Sequence, residues 1–215
     1  FGADALRFTL AALTQQGRYT EALDALEQAA AAHPANAALA LEAARAAISL
    51  GEFKRALNHL EHAAKATPND PEVWQLIGQV CVARSAPQKA LAAYQRAVQL
   101  APNAGRPLAA LAQLLAESGN MPEALLTAET ALNVSPNDVN VLAAVSEVFA
   151  TRGAGRLSDA VTLSRKVAEG RPNDPGAQLA LARTLTLAAE ADPSGFANPK
   201  GLITQTLERA QCQPE

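Results

Sequence analysis

The chain has 215 residues, 49% of them hydrophobic, enough for one sizeable core or a repeat array. A formal net charge of −3 and a pI of about 5.7 supply no basic field to track a phosphate backbone, so nucleic acid is not expected as the primary ligand. Aromatics make up only 4%, with Trp74 the single tryptophan, and the Ala- and Leu-rich remainder favours closely packed helices over strands.

Charge tilts modestly toward an acidic C-terminal half: ten Lys+Arg face nine Asp+Glu through Pro107, and eight face twelve beyond it. Cys81 and Cys212 lie far apart, which offers neither a disulfide framework nor zinc-ligand spacing. No run of about eighteen apolar residues occurs, so membrane insertion is not expected. The first residue is Phe1 and no signal-peptide pattern follows, which predicts a piece of a longer protein. A cytoplasmic location is expected, or a periplasmic or exported one if a signal once preceded the chain.

Along the chain, Pro34, Pro68, Pro102, Pro136 and Pro172 recur at spacings of 34, 34, 34 and 36 residues, each followed by Asn or Ala. Ala22, Ala56, Ala90, Ala124 and Ala160 stand twelve residues before these prolines, and Ala29, Ala63, Ala97, Ala131 and Val167 five before. Three columns with one period define a repeat. Gly17, Gly51, Gly119 and Gly155 stand five residues before four of the first alanines, so each unit reads as helix, tight turn, helix, with the proline closing the second helix.

The first unit carries Leu6, Leu10 and Leu13 at helical spacing, the second Ala40, Ala43 and Ala47, and the fourth Leu108, Leu111, Ala112 and Leu115. The fifth holds Leu142, Val145 and Phe149, with two extra residues around Arg152 to Gly155 lengthening its turn. The sixth begins at Pro175 with Leu181, Ala182 and Leu185. A long segment from Ala191 to Pro199 follows, and then Leu202, Ile203, Leu207 and Ala210 predict the apolar face of a capping helix. The chain therefore reads as a single all-α domain over 1–215, with repeats at about 3–36, 37–70, 71–104, 105–138, 139–174 and 175–212.

The third unit resembles the tetratricopeptide repeat family, because Trp74, Ile77, Gly78, Ala90, Tyr94, Ala97 and Pro102 fall at that family's signature spacings. The resemblance implies a right-handed superhelical solenoid of antiparallel helix pairs, in which first helices line a concave groove and second helices lie outside. A shorter likeness covers about eighteen residues from Phe1: Phe1-Gly2-Ala3-Asp4-Ala5-Leu6-Arg7-Phe8-Thr9-Leu10-Ala11 and Gln16-Gly17-Arg18 resemble the helix after the nucleotide-binding signature loop of valyl-tRNA synthetases. Neither signature motif of that family lies in the chain, and the same residues already satisfy the first repeat.

Little in the residues points to chemistry. His59 and His62, three apart with His33 one repeat away, lack a third ligand at a motif spacing and read as a solvated helix face. Cys81 falls at an inward position and is expected to be a buried, unreactive thiol. Asp138 with Glu147, and Glu117 with Glu123, read as helix caps or solvated faces, and no phosphate-cradling glycine loop occurs. No metal, cofactor or catalytic residue is expected.

The groove implied by the resemblance would be floored by polar residues of the first helices above many alanines. Arg45, Gln75, Gln79, Arg106, Gln113, Glu147 and Arg183 are the candidate partner-binding residues, with Arg45, Gln79, Arg106 and Gln113 as the expected anchors. The Lys, Asn, Asn, Lys, Arg clamp by which some tetratricopeptide domains capture chaperone tails is absent. Starting at the second unit, its positions hold Leu41, Arg45, Leu76, Arg106 and Ala110. The expected function is a non-catalytic scaffold binding a peptide or helix of a partner protein. The alternative is a regulatory or docking region of a larger enzyme, of glycosyltransferase or aminoacyl-tRNA synthetase type. Self-association through the solenoid ends is a further possibility.

Overall fold

The computed structural model describes residues 3–34, 36–151, 155–192, 201, 204, 206 and 208. Among them every regular element is an α-helix. The helices are α1 (Ala3–Gln15), α2 (Tyr19–Ala32), α3 (Ala37–Ser49), α4 (Phe53–Ala66), α5 (Pro71–Ala83) and α6 (Pro87–Leu100), then α7 (Gly105–Glu117), α8 (Met121–Val134), α9 (Val139–Ala150), α10 (Leu157–Gly170) and α11 (Pro175–Ala191). The capping-helix residues Leu202, Ile203, Leu207 and Ala210 lie outside the described residues, although Gly201, Thr204, Thr206 and Glu208 are helical. The chain falls into two compact units, Phe1–Pro102 and Asn103–Glu215.

Each helix pair is closed by a turn that needs one residue at positive φ. Gly17, Gly51, Gly119 and Gly155 adopt φ of 71°, 75°, 85° and 65°. The third repeat has no glycine there, and Ser85 takes φ 55° instead, the one described non-glycine residue in that region. The turn geometry is thus imposed by the helix pair and not by glycine, which only lowers its cost. Asp70, Asp138 and Asp174, each two residues past a column proline, accept a hydrogen bond from the backbone N–H of Glu72, Asn140 and Gly176 and so cap α5, α9 and α11.

Packing in the first unit shows why a repeat cannot stand alone. Leu23 of α2, Ala44 and Ala47 of α3, Ala56 and Leu60 of α4 and Val80 of α5 form one buried cluster drawn from three consecutive repeats. Its alanines let helix backbones close up, and Leu60 is fully buried among them. In the third repeat a Cβ on Gly78 would lie 2.8 Å from the Tyr94 ring, so glycine is what allows α6 to seat its tyrosine against α5. Burial pushes the Tyr94 phenol up to about 12.

In the second unit α9 carries Val141, Leu142, Val145, Val148 and Phe149, all buried, and packs closely against α7, α8 and α10. Val161 and Ala168 of α10 meet Leu181, Leu185 and Ala188 of α11 in a further cluster. The stripe of the first helix is buried in the second, fourth, fifth and sixth repeats, with Ser146 in the fifth and Gln178 in the sixth as its polar members.

The positive-φ column yields a paired prediction. A Cβ at Gly51 would meet nothing within 4 Å, so Gly51→Ala costs backbone strain alone, about 1 kcal/mol. Ser85→Gly relieves the same strain and leaves stability unchanged or raised by up to about 1 kcal/mol. Urea denaturation of both variants checks this, and a destabilised Ser85→Gly would contradict it.

Candidate functional site

The sequence places the candidate binding residues on first helices, where small side chains keep the surface low and longer polar ones stand above it. In the first unit, Arg45 of α3 donates to Glu42 on its own helix at 2.6 Å and to Glu72 of α5. Gln75 is half-buried and Gln79 exposed on α5, and neither has a hydrogen-bond partner. In the second unit, Arg106 of α7 donates to Asp138 at the start of α9 at 2.8 Å, and Gln113 of α7 donates to Glu147 of α9. Arg183 on α11 is exposed and has no ion-pair partner.

The expected anchors are therefore of two kinds. Arg45, Arg106 and Gln113 already bridge neighbouring first helices, whereas Gln79 stands free. Arg45 and Gln79 belong to the first unit, Arg106 and Gln113 to the second. In each unit most of the candidate side chains are already paired. Exposed ion pairs of this sort stabilise by at most about 1 kcal/mol each.

Asp138 shows the electrostatics. Burial would raise its pKa, but the Arg106 guanidinium and the backbone N–H groups of Asn140 and Val141 outweigh that and hold the carboxyl below its ordinary range. Asp138 thus serves both as the cap of α9 and as the acceptor for Arg106.

A second charged constellation went unread in the sequence. On the second helices, Arg55 of α4 donates through Nε to Glu27 of α2 at 2.9 Å and through Nη2 to Asp24 and Glu27 at 2.5 and 2.6 Å. His59 Nε2 lies 2.9 Å from Glu27 Oε1. The solvated face expected for His59 is accordingly a half-buried charge cluster, while His33 and His62 are exposed as expected. The Arg55 bonds, against the cost of burial and with help from His59, hold the Glu27 carboxyl low. The signal was an acidic i, i+3 pair in one second helix facing a basic residue in the next.

Cys81 is buried, and desolvation pushes its thiol up, in keeping with an unreactive side chain. Among the described residues no group of three or more His, Cys, Asp or Glu is placed to hold a metal, and no helix is long and apolar enough to cross a membrane.

In the second unit a cleft of about 480 Å³ opens between α9 and α11, floored by α10. Ser146, Ser164 and Thr184 line its bottom, and Glu147 and Arg183 flank it. Sequence reading chose both flanking residues but not the hydroxyls beneath them.

Because Glu27 is held low in the folded chain, its contribution to stability is present above its unfolded pKa and is lost as pH falls through the folded value. Arg55→Gln removes the main cause. NMR titration of the Glu27 carboxyl is predicted to show a clearly higher pKa in that variant, with less stability lost as pH falls below the ordinary glutamate value of about 4.3. An unchanged Glu27 titration would show that the bonds do not persist in solution.

Comparison with known proteins places this geometry. The tetratricopeptide repeat family matches residues 13–80 and 82–148. Among solved structures, the chain is similar to a tetratricopeptide repeat protein from Parabacteroides merdae ATCC 43184, at 15% identity over 99% of this chain and 80% of that one, with a TM-score of 0.71. It is similar to YrrB, a tetratricopeptide repeat protein with an unusual peptide-binding site, at 18% identity over 88% and 92%, TM-score 0.56. It is also similar to human IFIT1, whose dimer is seen with m7Gppp-AAAA, at 17% identity over 91% of this chain and 46% of that one, TM-score 0.70. At these identities the likenesses speak for the fold. No curated protein matches the chain. The matches lend no support to the synthetase likeness of the opening stretch, whose residues from Ala3 to Gln15 form the first helix of a repeat. With more than half its length matched, the chain belongs to the tetratricopeptide repeat family.

Proposed function

We propose that this chain is a non-catalytic scaffold that holds a peptide or helix of a partner protein against its first helices. Membership of the family supports a protein-interaction scaffold in general, and the finer reading rests on one observation. In each unit the polar residues of the first helices form exposed, exchangeable bridges above small side chains, Arg45 with Glu72 in the first and Arg106 with Asp138 and Gln113 with Glu147 in the second. Such a face can trade internal bridges for bonds to an extended chain at small net cost. The peptide-binding site named for YrrB lends the reading an analogue on the same fold.

A docking region of a larger enzyme is compatible with the same face, since the partner would then be a substrate or another domain. An RNA reading draws on the IFIT1 likeness alone and is opposed by the net charge of −3.

Selection of random peptides on the immobilised full chain tests the proposal. Selected peptides are predicted to lose about tenfold or more in affinity in Arg45→Glu or Arg106→Glu. Peptides insensitive to both substitutions, or selective binding of a capped oligoribonucleotide with no peptide selected, would contradict it.

A further inference from the structure

We infer that the cleft between α9 and α11 is a subsite for a primary carboxamide, the side chain of a glutamine or asparagine in a bound peptide; the inference rests on the peptide reading above and specifies its ligand. Small residues on the facing walls, Ala143 and Ala150 on α9 and Gly176 and Ala180 on α11, leave the space open. At about 480 Å³ it accommodates one side chain with its flanking backbone, within the usual range for ligand sites.

The floor is chemically one-sided. The Ser164 hydroxyl lies 2.8 Å and the Ser146 hydroxyl 3.4 Å from the carbonyl of Ala160, and the two oxygens are 2.6 Å apart, where either can be the donor. Thr184 sits 2.9 Å from the carbonyl of Leu181 and 3.1 Å from the Ser164 hydroxyl, either of which takes its proton. Each of the three hydroxyl protons has an acceptor inside the protein, and the hydroxyl oxygens keep lone pairs to offer. The floor therefore suits a ligand group that donates.

The rims add opposite charges that do not meet. Glu147 receives a neutral amide from Gln113 and no ion pair, and Arg183 has no ion-pair partner at all. A cation entering the cleft is attracted by Glu147 and repelled by Arg183, and an anion the reverse. A neutral group that donates at one end and accepts at the other satisfies both. A carboxamide does so, its NH2 directed to the hydroxyl floor and Glu147 and its carbonyl to Arg183. Leu179 on the α11 rim, exposed despite its size, supplies apolar surface for the methylene stem.

Titration of the full chain with N-acetyl-glutamine N-methylamide, followed through its backbone amide resonances, tests the assignment. Saturable shifts are expected in Ala143–Ala150 and Leu179–Leu187, with the matching glutamate and lysine compounds about tenfold weaker. Removing one rim charge is expected to redirect the preference: Glu147→Gln toward the glutamate compound and Arg183→Gln toward the lysine compound. Both substitutions are of exposed residues, so folding does not obscure the result. Shifts confined to other helices, no shifts at all, or equal response to all three compounds would overturn the assignment. Selected peptides that bind the first helices while the cleft amides stay unmoved would remove the subsite and leave the peptide reading standing.

Discussion

A helix pair whose apolar stripe is wider than its partner can cover must lean on the next pair, and this constraint governs the structure. Leu60 is fully buried because residues from the repeats on both sides of it close the cluster. The alanine columns follow from it: where backbones approach closely enough to seal the stripe, a larger side chain would hold the helices apart. Gly78 under Tyr94 is the same rule at its limit, since even a single Cβ would strike the ring. Within each unit, the faces of the first helices that this packing leaves exposed carry the polar side chains.

The period was legible because proline, alanine and glycine each mark a backbone requirement that does not depend on knowing the neighbours. Glycine gave the turn in four of five repeats, and the third repeat shows the limit of reading residue type in place of conformation, since Ser85 keeps the positive φ that glycine takes elsewhere. The Asp two residues past Pro68, Pro136 and Pro172 was equally visible in the sequence, and its meaning as a helix cap emerges only with the N–H groups it accepts.

The polar site was legible in part. Arg45, Arg106, Gln113, Glu147 and Arg183 all lie on first helices, as position in the repeat dictates, but their partners did not follow from the 34-residue period. Arg45 reaches Glu72 across 27 residues, Arg55 reaches Glu27 across 28 and Arg156 reaches Glu129 across 27, one repeat less about two helical turns. The offset is not fixed by side-chain type, since Arg106 reaches Asp138 across 32 residues and Gln113 meets Glu147 at 34. The hydroxyl floor beneath α9 and α11 was hidden for another reason. Ser146, Ser164 and Thr184 sit at apolar positions of three different helices, and only the packing shows that they share one network.

First and second helices thus divide two tasks that the same charges could perform. On the second helices, Arg55 with Asp24, Glu27 and His59, and Arg156 with Glu129 and the Phe149 ring at 4.4 Å, tie consecutive repeats together. On the first helices, the bridges are more exposed and exchangeable. Both depend on repeats being held by their neighbours, and amide hydrogen exchange on Leu60→Ala tests that dependence most directly. The substitution should cost about 2 to 5 kcal/mol. Protection is predicted to fall together in α2, α3, α4 and α5, whose residues share the Leu60 cluster, while α10 and α11 keep theirs. Loss confined to α4, or spread evenly over every helix, would contradict the account.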